Sequence, residues 1–309
     1  MATNSTLELS QTLSPAPIGG RTAARFVADM WALTKPEINL LIAITVLVSF
    51  LLARRGLGLL SILPAFNAMV GTLFVSSGAA ALNQVMERKF DSRMRRTGRR
   101  PLVMGSVAPR SALLFGATIS ILGLFYLDLC VSQLSMVIAG LTLLTYLFAY
   151  TPLKRITPLC TLVGAIPGAA PPLIGWAAAA GTLQRGAWAL FALLFLWQFP
   201  HFMAIAWMYR DDYERAGYRV LPSYKDRRVF AAVQAAVPAA LLIPVSVLPW
   251  IGREAGNVYL AVAILLGLGF AWLTLRFGLK ATNVAARQLL FASILYLPTV
   301  FILLLLDKR

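Results

Sequence analysis

Nine long apolar stretches separated by short charged segments decide what this 309-residue chain can fold into. From Ile38 to Ala53 a single amide, Asn39, interrupts an apolar run, and Phe291 to Leu306 is of the same kind. A helix needs roughly 20 such residues to cross a bilayer. In hydrocarbon a helix also satisfies its own backbone, which an irregular chain cannot do. The sequence therefore predicts an all-α polytopic membrane protein. Its spans are expected at roughly 36–54, 58–82, 110–128, 131–150, 157–180, 187–209, 228–251, 256–276 and 284–306. Soluble domains are about one quarter charged, whereas this chain is 13% charged and 59% hydrophobic, which excludes them.

The basic residues set an orientation. With the N-terminus inside, 22 of the 28 Lys and Arg fall on the inner side and 6 on the outer side. Cytoplasmic loops carry such an excess, so the N-terminus is expected in the cytoplasm, the C-terminus in the periplasm, and the protein in a bacterial inner membrane. Orientation accounts for most of the net charge of +16, and no nucleic-acid partner is implied. Residues 1–34 read as a flexible cytoplasmic tail without the apolar core of a signal peptide. A transit peptide is the alternative, against which Glu8 and Asp29 argue. Residues 35–309 read as a single transmembrane domain. Cys130 and Cys160 form no metal-binding spacing and read as packing thiols.

Acids are scarce, yet six of the 12 lie in two inner loops. Asn83, Glu87 and Asp91 stand at i, i+4 and i+8, one face of a helix, directly after an apolar run. The second group, Asp211 and Asp212, also follows an apolar run. Charge pairing between solvated loops is one reading. The other is a divalent cation held between two acidic walls that would repel without it. Magnesium suits this, because it takes few protein ligands and completes its shell with water and phosphate. The candidate metal ligands are thus Asn83, Glu87, Asp91, Asp211 and Asp212. Arg96 and Arg100 follow the first stripe, Tyr150 and Lys154 end the fourth span, and Arg210 adjoins the second acidic pair. Guanidinium and ammonium groups suit phosphate oxygens, so the pattern describes a clamp for a magnesium-bound diphosphate.

At these residues the chain resembles the UbiA superfamily of intramembrane prenyltransferases, and within it the heme-farnesylating branch. The resemblance rests on Leu33-Thr34-Lys35-Pro36, Asn83-Gln84 through Asp91, Arg96-Thr97, Arg100-Pro101-Leu102 and Tyr150-Thr151-Pro152-Leu153-Lys154-Arg155. It continues through Gly164 to Gly175-Trp176, Trp197-Gln198-Phe199-Pro200-His201-Phe202, Asp211-Asp212-Tyr213, Ala216-Gly217 and Leu221-Pro222, and covers about residues 30 to 305. Two features depart from it. Glu87 stands where many relatives have Asp, and Tyr209 and Tyr213 stand where quinone-type members carry the acids of an Asp-x-x-x-Asp motif.

The resemblance implies a nine-helix bundle with its active site facing the cytoplasm. It implies transfer of a farnesyl group from farnesyl diphosphate to the 2-vinyl group of heme b, here a substrate and not a prosthetic group. The product, heme O, would pass to a downstream heme A synthase. Asn83, Glu87, Asp91, Lys154, Asp211 and Asp212 would be the catalytic set, with Arg96, Arg100, Tyr150, Lys154 and Arg210 on the diphosphate.

His201 is the sole histidine, about eight residues before the inner end of the sixth span and so roughly 12 Å deep. It reads either as a packed polar residue or as a contact to the heme iron or a propionate; an ionisable group inside a membrane favours function. Two other functions stay open: a prenyltransferase with an aromatic or quinone acceptor, and a transporter. Transporters place polar groups at the bilayer midplane, whereas most acids here lie at one face.

Overall fold

The computed structural model describes residues 23–54, 62–222 and 225–309. Among them, nine helical spans are long and apolar enough to cross a membrane, as the sequence predicts. The first three spans are α2 (Pro36–Ala53), α3 (Ile62–Asp91) and α4 (Pro109–Cys130). The fourth combines α5 (Gln133–Leu144), a π-helical turn at Thr145–Tyr150 and the short α6 (Thr151–Leu153). The fifth is broken into α7 (Cys160–Ala169) and α8 (Pro171–Ala180). Proline fits a first turn and cannot continue a helix that precedes it, which explains the break before Pro171. The remaining spans are α9 (Arg185–Met208), α11 (Arg227–Ile251), α12 (Asn257–Lys280) and α13 (Asn283–Leu306), with α10 (Arg210–Ala216) as a short helix after α9.

The α7–α8 span and α9 are the enclosed ones, 67% and 61% buried against 22% for α4. They carry Trp176, Trp197 and Trp207, around which Phe270, Phe277 and Tyr296 of the later spans pack. Outward residues are large and apolar, such as Leu129, Phe148, Leu265 and Leu306, as expected where the solvent is lipid. Helices then associate through small residues that allow close approach. A side chain at Gly78 of α3 would strike the Gly116 carbonyl and Ser120 of α4, so that crossing needs glycine.

Two expectations meet differences. Residues 1–22 of the expected tail lie outside the described residues. Ala23–Leu33, however, forms helix α1. Met30 and Leu33 pack one turn apart against Ala81, Leu102 and Val107, and the Gln84 amide donates to the Leu33 carbonyl at 2.8 Å. Of the two cysteines, Cys160 is buried but Cys130 is exposed at the end of α4, so only Cys160 is a packing thiol.

Candidate active site

Helix α3 runs nine residues past its expected apolar end, because Asn83, Glu87 and Asp91 face inward and are 1%, 5% and 2% exposed. Three polar side chains so enclosed need partners, and each has one. Asn83 Nδ2 donates to Thr151 Oγ1 at 3.0 Å, and Lys35 Nζ reaches Asn83 Oδ1 at 3.5 Å. Lys154 Nζ donates to Glu87 Oε1 at 2.8 Å. Arg100 donates to Asp91 Oδ2 at 2.5 Å.

Local structure aims these groups. The π-helical turn lets Thr151 donate to the Tyr146 carbonyl at 2.8 Å while it accepts from Asn83. Such single π turns are common at functional sites. The same turn places Lys154 over the Tyr150 ring at 4.4 Å. Gly164 makes room for that ring, since a side chain there would overlap it. Lys35 sits at the start of α2 with φ 53°, a left-handed backbone that turns the chain from α1 into the membrane. Residues 92–108 fold back under α3, held by Arg88 Nε donating to the Leu102 carbonyl at 2.9 Å and Thr97 Oγ1 donating to the Asp91 carbonyl at 3.0 Å.

The second acidic segment joins through backbone and side chain. Arg96 N donates to Asp212 Oδ2 at 3.3 Å, and Arg215 pairs with the other Asp212 oxygen. Arg96 lies over the Tyr209 ring at 5.3 Å and reaches the Tyr213 hydroxyl at 3.5 Å. Arg219 N donates to the Lys154 carbonyl at 2.7 Å, which ties the segment after α10 to the end of α6. Met94, Ala216 and Tyr218 close the joint as a small buried cluster.

Three cations therefore converge on a stripe of three oxygen-bearing side chains. Burial, reinforced by the charges of Arg100 and Lys154, brings Lys35 down to about 7 despite the opposing effect of Glu87 and Asp91. Burial also works against the charge on Lys154, but the Glu87 carboxylate outweighs it and holds the ammonium above its ordinary value. Burial, and after it the negative charges of Glu87 and Asp91, push the Tyr218 hydroxyl well up. Such a site can exchange internal ion pairs for an anion that brings its own cation: phosphate oxygens for the basic groups, a metal for the carboxylates.

Of the predicted residues, the fold brings together Asn83, Glu87, Asp91, Arg100, Tyr150 and Lys154, with Arg96 and Asp212 at the rim. Asp211 is not with them: its side chain is 80% exposed and lies 3.8 Å from Arg210. Arg210 turns away to the Trp207 carbonyl at 2.8 Å and Asn283 Oδ1 at 2.7 Å. His201 lies deeper, where α9 meets α13, with Nδ1 2.8 Å from Ser293 Oγ and its ring stacked on Trp197. Among the described residues no three His, Cys, Asp or Glu side chains form a ready metal cage. Glu87 and Asp91, one turn apart with the Asn83 amide, are hard oxygen donors of the number magnesium takes when it arrives with a phosphate. Lys35, Thr151 and Tyr218 were not among the candidates. Lys35-Pro36 and Thr151 stand inside motifs that carry the resemblance, but nothing in their spacing gives their reach across the bundle.

The model of the UbiA prenyltransferase family matches residues 42–296. The chain is 42% identical over 311 residues to a protoheme IX farnesyltransferase of Koribacter versatilis, covering 97% of this chain and 99% of the relative. It is 46% identical over 287 residues to one of Solibacter usitatus, covering 91% and 98%. Among solved structures, a digeranylgeranylglyceryl phosphate synthase superposes with a TM-score of 0.73 at 17% identity, over 91% of this chain and 98% of that one. A UbiA homolog from Archaeoglobus fulgidus bound to GPP and Mg2+ gives 0.65 at 15% identity, over 89% and 99%. The nine-span helical fold and a family match over most of its length agree: this chain is a multi-pass membrane protein of the UbiA prenyltransferase family.

Proposed function

We propose that this protein transfers the farnesyl group of farnesyl diphosphate to the 2-vinyl group of heme b, giving heme O. The observation that carries the reading is the buried Asn83–Glu87–Asp91 stripe faced by Lys154, Arg100 and Lys35. It occurs in a chain 42% and 46% identical, nearly end to end, to relatives named protoheme IX farnesyltransferase. Lys154, Arg100, Arg96 and Lys35 receive the departing diphosphate, with Tyr150 on its approach. Preorganised cations aimed at developing negative charge lower such a barrier without reorganising. Asn83, Glu87 and Asp91 would hold a magnesium ion, with Asp212 as the second wall. When bound, the ion draws further charge from the leaving oxygens.

The allylic C–O bond breaks and its electron pair leaves with the diphosphate. The terminal carbon of the vinyl group then bonds to C1 of the farnesyl cation, and the positive charge passes to the carbon next to the porphyrin ring. Water adds there and loses a proton, leaving the hydroxyl of a hydroxyethylfarnesyl chain. His201, roughly 10 Å below the inner end of its helix, contacts the heme at its iron or a propionate. The inner-side excess of basic residues supports a cytoplasmic N-terminus, a periplasmic C-terminus and a cytoplasm-facing site in a bacterial inner membrane. Residues 35–309 act as one transmembrane domain, and a heme A synthase consumes the product.

The test uses purified protein in nanodiscs with magnesium, farnesyl diphosphate, and either heme b or 4-hydroxybenzoate. Chromatography with mass detection is expected to find heme O and free diphosphate in equal amounts. Prenylated 4-hydroxybenzoate without heme O would transfer the reading to the quinone branch.

A further inference from the structure

A serine hydroxyl has one proton to give and lone pairs with which to accept. Ser293 Oγ lies 2.6 Å from the Leu290 carbonyl oxygen and 2.8 Å from His201 Nδ1. The carbonyl can only accept. If the serine proton pointed at His201, two oxygen lone pairs would face each other at 2.6 Å with nothing between them. The proton therefore lies toward Leu290, and toward His201 the hydroxyl accepts. Nδ1 must then carry a hydrogen. No other hydrogen bond engages the ring among the described residues, and its ring neighbours are Trp197 and Phe202. No carboxylate is among these contacts to balance an imidazolium, and an uncompensated charge in such surroundings is costly. The neutral ring with hydrogen on Nδ1 has its free lone pair on Nε2.

We infer that Ser293 is a positioning residue that holds His201 in the Nδ1–H form and presents a bare Nε2 to the iron of heme b. This rests on the proposed acceptor and deepens it. Of the two heme contacts open to His201, a propionate calls for a donor, and an unprotonated Nε2 has none to give. Iron calls for a lone pair. A fixed hydrogen bond on the far nitrogen is how metal-binding imidazoles are oriented. Ser293 is itself held in place, since it is fully buried and its backbone carbonyl accepts from Trp197 Nε1 at 3.0 Å. The same residue thus fixes both partners of a stacked pair one helical turn apart, Trp197 and His201, whose ring centroids are 4.9 Å apart.

The sequence contains one histidine, so the tautomer can be read directly. Protein carrying 15N-histidine and a histidine-free affinity tag is placed in lipid without heme and examined by solid-state NMR. A pyrrole-type Nδ1 and a pyridine-type Nε2 are expected, and the Ser293→Ala variant should show a mixture of tautomers that Ser293→Thr restores. A protonated Nε2 in the unmodified protein overturns the inference whatever the substrate is. Ferric heme b is then titrated in, followed by absorbance and electron paramagnetic resonance. An imidazole-ligated spectrum is expected, abolished by His201→Ala and weakened roughly 10-fold in affinity by Ser293→Ala, the lower end of what such supporting bonds contribute. Farnesyl diphosphate affinity should stay unchanged in both variants. An enzyme that makes heme O with a heme spectrum indifferent to His201→Ala sinks the inference and spares the proposed function. An enzyme that neither binds heme b nor makes heme O sinks both.

Discussion

Replacing Lys154 by methionine separates a catalytic cation from a structural one. Lys154 Nζ lies 2.8 Å from Glu87 Oε1, with the two side chains 13% and 6% exposed. Removing one member of a buried pair leaves the other uncompensated, which costs about 3–5 kcal/mol. Lys35 and Arg100 remain close enough to act on Glu87, so the low end, about 3 kcal/mol, is expected for stability. The effect on turnover has a different origin. Losing one preorganised donor from a developing anion costs about 3–4 kcal/mol, or roughly 10²–10³-fold in rate.

The second variant, Glu87→Gln with Lys154→Met, makes the two contributions diverge. It replaces the ion pair by neutral groups of similar size, which is often harmless to folding. Thermal unfolding in detergent should return toward the unmodified protein. kcat/KM for diphosphate release should stay down at least 100-fold, because neither the cation nor the carboxylate has come back. A double variant that regained both stability and turnover would reduce the pair to a structural link and remove the central step of the proposed clamp. So would a single Lys154→Met variant with undiminished kcat/KM.

The three aspartates of the acidic stripe and loop should not be equivalent. Asp91→Ala and Asp212→Ala are expected to abolish turnover in normally inserted protein, while Asp211→Ala, whose side chain is 80% exposed, should have the mildest effect of the three. Equal losses in a diphosphate-release assay would show that Asp211 swings inward during the reaction. Because Lys35 is brought down to about 7, it is cationic below that pH and neutral above it. kcat/KM, which reports free-enzyme ionisations, should therefore fall as pH rises past about 7, and Lys35→Arg should remove that falling limb; a limb that persists assigns it to another group. A reporter fused after Arg309 should read as periplasmic and one within Gly98–Arg110 as cytoplasmic; a cytoplasmic C-terminus would contradict the 22-to-6 charge split.

Much of the architecture could be read before any coordinates, because lipid leaves a helix few alternatives. Every expected span has its helix, and the stripe of Asn83, Glu87 and Asp91 follows from helical spacing alone. What spacing cannot give is the partner across the bundle. Lys154 meets Glu87 over 67 positions of sequence, and His201 meets Ser293 over 92. Nor does composition betray the π turn at Thr145–Tyr150: one extra residue in a helix leaves an apolar run equally apolar. Asp211 and Asp212 look interchangeable as neighbours, yet adjacent residues on a helix do not share a face. Asp212 turns inward to Arg96 N, and Asp211 is left in solvent. Helix α1 had its signal in Met30 and Leu33, obscured by a polar segment before it.

The opposite end of the bundle explains how a hydroxyl can hold a fixed depth on α13. Lys308, just beyond that helix, donates to the Leu51 and Arg54 carbonyls at 2.5 Å each, filling acceptors that the end of α2 leaves open. Asp307 accepts from Tyr259 N at 2.7 Å, and its carbonyl accepts from Gly256 N at 2.7 Å. These bonds pin the C-terminal end of α13 to α2 and to the start of α12. At its N-terminal end, Thr282 caps α13 by accepting from Ala285 N at 3.2 Å, and Asn283 binds Arg210 beside α10. A helix fastened at both ends cannot slide along its axis, and a slip of a single residue would turn Ser293 about 100° away from His201. The ion pairs around α3 are of another kind: side chains that, in the proposed reaction, exchange their partners for phosphate oxygens and a metal. Rigid backbone fastenings around α13 and exchangeable charges around α3 are what the proposed two-substrate reaction needs, with the porphyrin held still while an anion enters and leaves.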